Sequence, residues 1–384
     1  MRVALVHYWL IGMRGGEKVL EALCRMYPDA DIFTLFYDPA KVSDTIRRHR
    51  VQASWLNPAR RLHRSLLPLA PMALESFDLR AYDLVISSES GPAKGVITHS
   101  DSCHICYCHT PMRYLWDLYP AYCREWTRSR LKRFAMIPLT HYLRLWDFAS
   151  AARVDAFAAN SENVRRRIAH LWRRDACVIY PPVDTARFFW QQPEDYFLMV
   201  AEMVAYKQLA YAVRTFTASG RKLRIVGGGP EYRNLRAMAG PSIEFCGRVP
   251  DAELSTLYSR ARALVVPGEE DFGIATVEAL ASGKPVIGLR RGGTPEILPV
   301  EMPAGVLYER ADEAALRDAL EEFDAVEPHL EPAALQAWAE RFSEPAFRRD
   351  MQSLIQRSLA SQLRGIDVCA AIAPEFAQVP PLRR

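Results

Sequence analysis

Short apolar runs alternate with helical patterns along most of this chain, and this alternation limits the folds open to it. The first repeat is an apolar run from Val3 to Trp9, followed by Gly12, Gly15 and Gly16 and by helical spacing that begins at Val19. A strand, a glycine loop and a helix in that order open a doubly wound α/β domain. Further strands are predicted at Ile32–Phe36, Leu84–Ser87, His104–Tyr107 and Ala156–Ala159, the last followed by Asn160 and Ser161, a polar pair suited to cap a helix. A parallel sheet is therefore expected.

The alternation breaks at residues 180–184, Tyr-Pro-Pro-Val-Asp. Because two consecutive prolines cannot continue a helix or a central strand, we interpret this segment as a hinge. Beyond it, elements are predicted at Phe197–Ala201, Leu209–Ala218, Leu223–Val226, Ile243–Cys246, Leu254–Arg260, Ala263–Val266, Thr276–Ala281 and Pro285–Gly288. At 384 residues the chain also exceeds what one hydrophobic core usually supports. Two Rossmann-like domains are predicted.

The proline segment sets the expected domain boundaries. Residues 1–180 are predicted to form the first domain and residues 181–345 the second. Helical patterns follow at Glu313–Phe323, Ala333–Phe342 and Ala346–Leu363. We expect a helix over 346–364 to pack back on the first domain. Residues 365–384 have no periodicity and are predicted to be a disordered tail.

Composition places the chain among ordinary globular proteins, with 49% apolar and 24% charged residues. A net charge of +4 is too small to imply nucleic-acid binding. The sequence contains no apolar run long enough to span a membrane, and its opening lacks the length and flanks of a signal peptide, so a cytoplasmic protein is expected. Cys103, Cys106 and Cys108 stand beside His104 and His109, but a strand sends neighbours to opposite faces, which argues against zinc.

Positive charge is concentrated in the first half of the chain. Six arginines and no acid lie between Thr45 and Leu74, and eight basic residues face three acids from Arg113 to Arg153. The second segment also carries Trp116, Tyr119, Tyr122, Trp126, Phe134, Tyr142 and Trp146. One interpretation is a solvated basic face with aromatic residues packed beneath it. The interpretation we favour is peripheral contact with anionic lipid headgroups on the inner face of the cytoplasmic membrane.

The segment 267–287 carries the strongest chemical signal. A strand is expected to end at Pro267 and a helix to begin near Ile274, so free N–H groups and the positive helix end point into the intervening loop. Such a loop can hold a phosphate without a metal ion. Glu270 lies in the loop and Glu278 about one turn into the helix. Two carboxylates placed in this way can accept hydrogen bonds from the hydroxyls of two different sugars.

These residues resemble glycosyltransferase family 4, whose signature is two glutamates separated by seven residues, as at Glu270 and Glu278. Further landmarks stand in the family's order over roughly residues 1–350: Gly15-Gly16, His109 in His-Thr-Pro, Ser161, the proline hinge, Lys207, Gly227–Gly229, Gly247 and Gly292–Glu296. The resemblance implies the GT-B fold, in which two Rossmann-like domains with parallel sheets face each other across a cleft. It implies that residues 1–180 bind the acceptor and residues 181–345 the nucleotide-sugar donor. It also implies a retaining, metal-independent hexosyltransferase that uses a nucleotide sugar and no other cofactor.

The resemblance assigns catalytic roles to three residues. Glu270 would bind the donor sugar, and His109 would reach the sugar from the first domain. Lys207 would neutralise the diphosphate as it leaves, which suits a flexible point charge. In enzymes of this type the leaving phosphate is thought to help deprotonate the acceptor, so no general base is assigned.

Donor binding would fall to a second group of residues. Glu278 would bind the ribose. The amides of Phe272, Gly273 and Ile274 would lie beside the donor sugar. Gly15 and Gly16 would let the first loop approach the phosphates, because without a Cβ the backbone amides can come close.

Glu202 departs from the family pattern, which most often has arginine at this position. A carboxylate near the diphosphate would repel it by about 1 kcal/mol or more, depending on the local dielectric. Either Glu202 points elsewhere, or a second cation such as Arg248 or Arg290 takes over the role. The departure places the phosphate geometry in question.

The opening His-Tyr-Trp-Leu and the later His-Thr-Pro-Met-Arg-Tyr-Leu-Trp-Asp resemble mannosyltransferases of this family, which favours GDP-mannose as the donor. The expected acceptor is a glycan or a polyprenyl-diphosphate-linked sugar in bacterial polysaccharide biosynthesis. Two alternatives stay open. One is a nucleotide-sugar 2-epimerase on the same fold, and the other is a non-catalytic nucleotide-sugar-binding protein, which Glu202 would favour.

Overall fold

A computed structural model of the chain describes residues 1–89, 91–120 and 130–362 and shows two compact units. One unit comprises Met1–Tyr180 and Arg348–Arg384, and the other comprises Pro181–Phe347. The division falls between Tyr180 and Pro181, inside the segment where consecutive prolines interrupt regular structure. The segment 365–384, for which a disordered tail is predicted, lies outside the described residues.

The first unit contains a parallel sheet in the order β3-β2-β1-β4-β5-β6-β7. Its strands are β1 (Val3–His7), β2 (Asp31–Thr34), β3 (Val51–Ala53), β4 (Leu84–Glu89), β5 (Cys103–Cys108), β6 (Ala156–Ala159) and β7 (Cys177–Val178). The helices between them are α1 (Gly15–Met26), α2 (Asp44–Arg47), α3 (Ala70–Glu75), α4 (Arg130–Ala151) and α5 (Glu162–Trp172). The strand order turns back at β1 and β4, and ligands of doubly wound sheets bind outside the carboxyl ends of strands at such a switch point.

Local sequence explains why α5 begins where it does. Ser161 has extended backbone, and its Oγ accepts a hydrogen bond from the backbone N–H of Val164 at 3.1 Å. The capping role predicted for this position is therefore confirmed. Arg165 pairs with Glu162 one turn earlier at 2.6 Å and supports the same first turn.

The second unit repeats the architecture with the order β10-β9-β8-β11-β12-β13, again all parallel. Its strands are β8 (Phe197–Val200), β9 (Leu223–Val226), β10 (Ile243–Gly247), β11 (Leu264–Val266), β12 (Val286–Leu289) and β13 (Gly305–Tyr308). Its helices are α6 (Leu209–Ser219), α7 (Tyr232–Met238), α8 (Asp251–Arg260), α9 (Ile274–Ala281), α10 (Thr294–Ile297), α11 (Glu313–Val326) and α12 (Pro332–Ala339). Helix α13 (Glu344–Gln362) crosses the division, since residues from Arg348 onward belong to the first unit. The predicted pair of Rossmann-like domains is confirmed.

The core of the second unit is aromatic at its centre. The ring of Phe197 in β8 lies 5.4 Å from that of Phe216 in α6 and 5.8 Å from that of Phe323 in α11, measured between centroids. All three rings are buried, so helices on the sheet are fixed by edge-on aromatic contacts. The rigid sheet then positions the loops at its carboxyl edge.

Several elements of the second unit differ from the sequence prediction, among them β13 and α12. The last strand, β13, was not predicted, because it is only four residues long and its burial alternates in a segment that reads as helical and charged soon afterwards. The helix predicted over Ala333–Phe342 ends earlier as α12, and a 3₁₀ turn over Glu340–Phe342 follows it.

A buried ion pair organises the aromatic segment of the first unit. Lys94 and Asp147 form an ion pair with both side chains fully buried. The indole N–H groups of Trp116 and Trp172 each donate to Oδ2 of Asp147 at 2.8 Å. The carboxylate is therefore paired and hydrogen-bonded, as a buried charge must be.

The structure separates the aromatic residues of segment 113–153 into two groups. Trp116 and Trp146 donate hydrogen bonds to buried or partly buried carboxylates, so they pack beneath the surface. Tyr142 is 47% exposed. Tyr122, Trp126 and the side chain of Phe134 lie outside the described residues. None of the described helices has the length and apolar character needed to cross a membrane.

Candidate functional site

Glycines let the loops at the carboxyl edge of the second sheet touch through their backbones. A Cβ added to Gly268 would lie 2.4 Å from the carbonyl oxygen of Lys207, and one added to Gly292 would lie 2.1 Å from that of Glu270. The N–H of Gly293 donates to the same Glu270 oxygen at 2.8 Å. The loops that follow β8, β11 and β12 therefore meet at the β8/β11 switch point of this sheet.

Lys207 and Glu270 form an ion pair at this meeting point. The amine Nζ lies 2.9 Å from Oε1 of Glu270, and the two side chains are 17% and 24% exposed. Burial alone would lower the pKa of Lys207, but the neighbouring Glu270, together with Tyr206 and Glu202, raises it above its ordinary value. The lysine is thus a fixed positive charge at the edge of the crevice, and two of the predicted catalytic residues lie together.

The amino end of α9 follows Glu270 by four residues in the sequence. Gly273 adopts φ +112° immediately before the helix begins at Ile274, a conformation that favours glycine. The side chain of Phe272 is buried, with its ring 5.8 Å from that of Phe342. Phe272 can therefore offer a ligand only its backbone, while the first turn of α9 directs N–H groups toward the loop.

Glu278 lies one turn further along α9 and is held by two partners. Nη2 of Arg187 is 3.0 Å from Oε1 of Glu278, and the hydroxyl of Tyr258 donates to Oε2 at 2.9 Å. Arg187 also pairs with Asp251 at 2.7 Å. Burial raises the pKa of Glu278, and Arg187 and Tyr258 oppose that effect. Each carboxylate oxygen has a second lone pair, so Glu278 can still accept a hydroxyl.

Sequence reasoning missed Arg187 and Tyr258. They are separated from Glu278 by 91 and 20 residues, and no spacing rule connects them. The sequence carried no signal for either pairing. Burial likewise raises the pKa of the Tyr258 hydroxyl well above its ordinary range, so this group donates and does not ionise.

Glu202 lies near the same amine. It is among the charges that raise the pKa of Lys207. Of the cations considered as replacements for the expected arginine, Arg290 pairs with Glu309 at 2.8 Å. Arg248 is exposed and forms no ion pair with any residue in the described ranges. Within the described residues, no hydrogen bond or ion pair joins Arg248 or Arg290 to Lys207.

The glycines at 227–229 do more than end a strand. Gly227 has φ +129°, and a Cβ there would lie 2.0 Å from the carbonyl oxygen of Ala201. A Cβ on Gly229 would lie 2.4 Å from that of Met203. These close approaches fix the loop that carries Glu202 against the end of β9.

In the first unit, the histidine corner comprises His7, Gly16, Glu17, Ser88 and His109. It lies at the carboxyl ends of β1, β4 and β5, where α1 begins at Gly15. A Cβ on Gly16 would lie 3.5 Å from both Nε2 of His109 and Cε1 of His7. The Ser88 hydroxyl is 2.9 Å from Nε2 of His109. The structure therefore brings together His109 and the Gly15-Gly16 turn.

The two imidazoles of the histidine corner are uncharged at neutral pH. Burial lowers the pKa of His109 to about 4. Burial, and then the neighbouring His109, lower the pKa of His7 to about 3. Glu17, whose Oε1 lies 4.0 Å from Nε2 of His7, has its pKa raised by burial. A neutral imidazole can exchange hydrogen bonds with sugar hydroxyls but supplies no charge to a phosphate.

The cysteine and histidine residues of β5 are not arranged around a common point. Nε2 of His104 lies 2.9 Å from the Ser87 hydroxyl, whereas Cys106 and Cys108 pack among Phe157 and Trp172. Within the described ranges, no group of three or more histidine, cysteine or acidic side chains could hold a metal ion.

Two family models match the chain. Residues 13–187 match Glycosyltransferase Family 4, and residues 194–323 match Glycosyl transferases group 1. The two matches are consecutive: the first extends through the proline hinge to residue 187, and the second begins at residue 194. The chain belongs to glycosyltransferase family 4, group 1.

Curated relatives match over shorter segments. The GDP-mannose-dependent alpha-mannosyltransferase of Corynebacterium glutamicum is 44% identical over 84 residues, which are 21% of this chain and 20% of that protein. The O-antigen chain mannosyltransferase RfbU of Salmonella typhimurium is 31% identical over 159 residues, 38% of this chain and 45% of that one. The matched segments thus span less than half the length of either relative.

A solved structure matches almost the whole chain. The crystal structure of Anabaena Alr3699/HepE in complex with UDP has a TM-score of 0.65 and 13% sequence identity, and the match covers 93% of this chain and 100% of that one. At this identity the likeness concerns the fold. The GT-B architecture implied by the sequence resemblance is confirmed.

Proposed function

We propose that this protein is a retaining, metal-independent hexosyltransferase that transfers a sugar from a nucleotide diphosphate donor to an acceptor hydroxyl. The observation that carries the proposal is the Lys207–Glu270 pair, placed where three loops meet beside the amino end of α9. A cation and orphan N–H groups suit a diphosphate, and an adjacent carboxylate suits sugar hydroxyls. Family membership supports the same reaction.

Within this proposal the second unit binds the donor. Lys207 offsets charge on the diphosphate as the sugar leaves, beside the amides of Phe272, Gly273 and Ile274. Glu270 accepts hydrogen bonds from the transferred sugar. Glu278 binds the ribose, and Arg187 and Tyr258 hold its carboxylate in one orientation.

The first unit contributes the histidine corner. Neutral His109 accepts or donates a hydrogen bond at the transferred sugar, and Ser88 fixes its ring. Gly15 and Gly16 let the first loop approach the donor phosphates. No residue is assigned as general base.

GDP-mannose is the donor we propose. The resemblance of the two histidine-containing stretches to mannosyltransferases supports it, as does the match to a GDP-mannose-dependent relative. A glycan or polyprenyl-diphosphate-linked acceptor of bacterial polysaccharide synthesis is proposed with it.

A peripheral association with anionic lipid at the cytoplasmic face is part of the same proposal. Leu62, which is 62% exposed, lies in the chain between the exposed arginines Arg61 and Arg64, and Met72, which is 59% exposed, follows them. Apolar side chains beside cations suit the headgroup region of a bilayer.

Calorimetric titration with GDP-, UDP- and ADP-sugars tests the donor site and its base preference together. We expect Glu278→Ala to weaken nucleotide binding roughly tenfold or more, because a hydrogen bond to a charged group is lost and Arg187 keeps only Asp251 as an ion-pair partner. Glu270→Ala should reduce transfer more than it reduces nucleotide affinity. Full activity in both variants would show that the donor site lies elsewhere.

A second assay tests the absence of a metal requirement. Transfer should continue in EDTA, and a loss that manganese restores would refute metal independence. Conversion of the nucleotide sugar without any acceptor would identify a 2-epimerase. Tight nucleotide binding without turnover on any acceptor would identify a binding protein, the outcome that Glu202 near Lys207 favours.

A further inference from the structure

The first unit has an open pocket of about 790 Å³ between the loop that follows β5, helix α4 and helix α5. Asp117 comes from the loop and Arg144 from α4, while Arg166, Arg167 and His170 come from α5. The α5 residues are spaced three and four apart, so they lie on one face of that helix. No role in the proposed transfer reaction uses these residues.

The pocket is positively charged. Three arginines line it against one aspartate. That aspartate is already engaged, because Asp117 Oδ2 lies 3.3 Å from Nε of Arg167 and 3.6 Å from Nε of Arg113. Arg166 is exposed and forms no hydrogen bond or ion pair with any residue of the described ranges. Positive charge therefore remains available to a ligand.

Arg144 is held in place before any ligand arrives. Its Nε donates to the carbonyl oxygen of Leu115 at 2.6 Å, and its guanidinium lies 4.2 Å from the centroid of the Tyr119 ring. These contacts do not use the terminal Nη groups. A fixed guanidinium fork matches the oxygens of a phosphate and loses little entropy on binding it.

The pocket is linked to the histidine corner through one side chain. Nη1 of Arg167 donates to the hydroxyl of Thr110 at 3.3 Å, and Thr110 follows His109 in the chain. An anion held in this pocket would therefore lie against Arg167, which contacts the residue after His109, in the unit to which the acceptor is assigned.

We propose that this pocket binds a phosphoryl group of an acceptor-side ligand, with Arg144 and Arg166 as its main contacts. The inference rests on the proposed function for its acceptor, while the donor phosphates are assigned to the second unit. The pocket thus supplies a separate anion site. The phosphoryl group could come from a diphosphate or from a lipid headgroup, and the chemistry recognised is the same.

Titration with inorganic pyrophosphate tests the site directly. The titration is run at low salt with saturating GDP, so that the donor site is occupied. We expect Arg166→Ala and Arg144→Ala each to weaken pyrophosphate binding roughly tenfold, since each removes a charge-assisted contact. Arg357→Ala is the matched control, because Arg357 is an exposed helical arginine of the same unit without an ion pair in the described ranges.

Co-sedimentation with vesicles of phosphatidylglycerol in phosphatidylcholine tests the second source. If pyrophosphate binding depends on Arg166, a diphosphate ligand is supported. If only vesicle binding depends on Arg166, and not on Arg357, a phospholipid headgroup is supported. Binding of both probes that is the same in wild type, Arg166→Ala and Arg357→Ala, or no binding of either, overturns the proposal.

GDP affinity, measured in the same protein samples, separates this inference from the proposed function. Arg166→Ala should leave GDP binding unchanged. A wild-type protein that binds GDP but neither pyrophosphate nor vesicles refutes the pocket alone, whereas a wild-type protein that does not bind GDP refutes the donor site of the proposed function.

Discussion

The two units share a topology but differ in electrostatics at corresponding places. Each sheet turns back after its first strand and gathers glycine-containing loops at its carboxyl edge. In the first unit that edge carries two imidazoles whose pKa burial lowers to about 3 and about 4. In the second unit it carries the Lys207–Glu270 and Arg187–Glu278 ion pairs.

This difference shows that the fold selects the place and the loop side chains select the chemistry. A diphosphate needs fixed positive charge, which the second unit provides. Neutral imidazoles suit hydroxyl groups and would not compete for the phosphates. This contrast assigns the diphosphate to the second unit and the hydroxyl groups to the first unit in the proposed reaction. Changing the charge in either unit tests that assignment.

The largest expected effect comes from removing charge in the second unit. We expect Lys207→Met to lower the rate of transfer by about 10²–10³, because the cation that stabilises the leaving diphosphate is lost and Glu270 is left to repel it. Steady-state kinetics with the preferred donor measure this effect.

Lys222→Met is the control for that experiment, since Lys222 is 65% exposed and pairs with Asp195 at the opposite end of the strands. It should keep normal rates. Normal rates in Lys207→Met as well would remove the second unit's charge from the mechanism.

The next effect comes from adding charge to the first unit by acid. Because folding lowers the pKa of His109 from its ordinary value of 6.5 to about 4, the unfolded chain binds protons first as the pH falls. Stability present above pH 6.5 is therefore lost between about pH 6.5 and pH 4. From pH 7 to pH 5 the free energy of unfolding should fall by roughly 2 kcal/mol for each such histidine.

Urea unfolding of wild type and His109→Gln at pH 7 and pH 5 measures how much His109 contributes to the pH dependence of the free energy of unfolding. The variant should lose about 2 kcal/mol less on acidification. Glu17, whose pKa is raised, acts in the opposite direction in both proteins and cancels in the difference. Equal losses would mean that the buried imidazole accepts a proton without cost.

The sequence predicted the elements that depend on local pattern and missed those that depend on distant contact. The central strands, the Ser161 cap and the start of α9 follow from periodicity, capping and glycine. The pairings of Glu278 with Arg187 and Tyr258 do not, because they join residues brought together only by the folded second unit. The neutrality of His109 also depends on burial that no spacing reveals.

The smallest effect concerns how tightly the backbone is constrained in two regions: the histidine corner and the loops that meet at Glu270. Gly292 has φ +69° and would place a Cβ 2.1 Å from the carbonyl oxygen of Glu270, whereas Gly220 has the same φ with open space around it. Alanine at either site bears the same backbone strain, so the difference measures the backbone contact that positions Glu270. We expect Gly292→Ala to cost about 1–3 kcal/mol more unfolding free energy than Gly220→Ala.

Gly16→Ala extends that test to the histidine corner. Its Cβ would meet only imidazole atoms at 3.5 Å, an ordinary contact distance, so we expect a stability change below about 1 kcal/mol. Denaturant unfolding of the three variants measures all three costs. If Gly16→Ala proved as costly as Gly292→Ala, the histidine corner would be as tightly constrained as the loops that meet at Glu270. The interpretation that His109 can shift to fit a hydroxyl ligand would then have no structural basis.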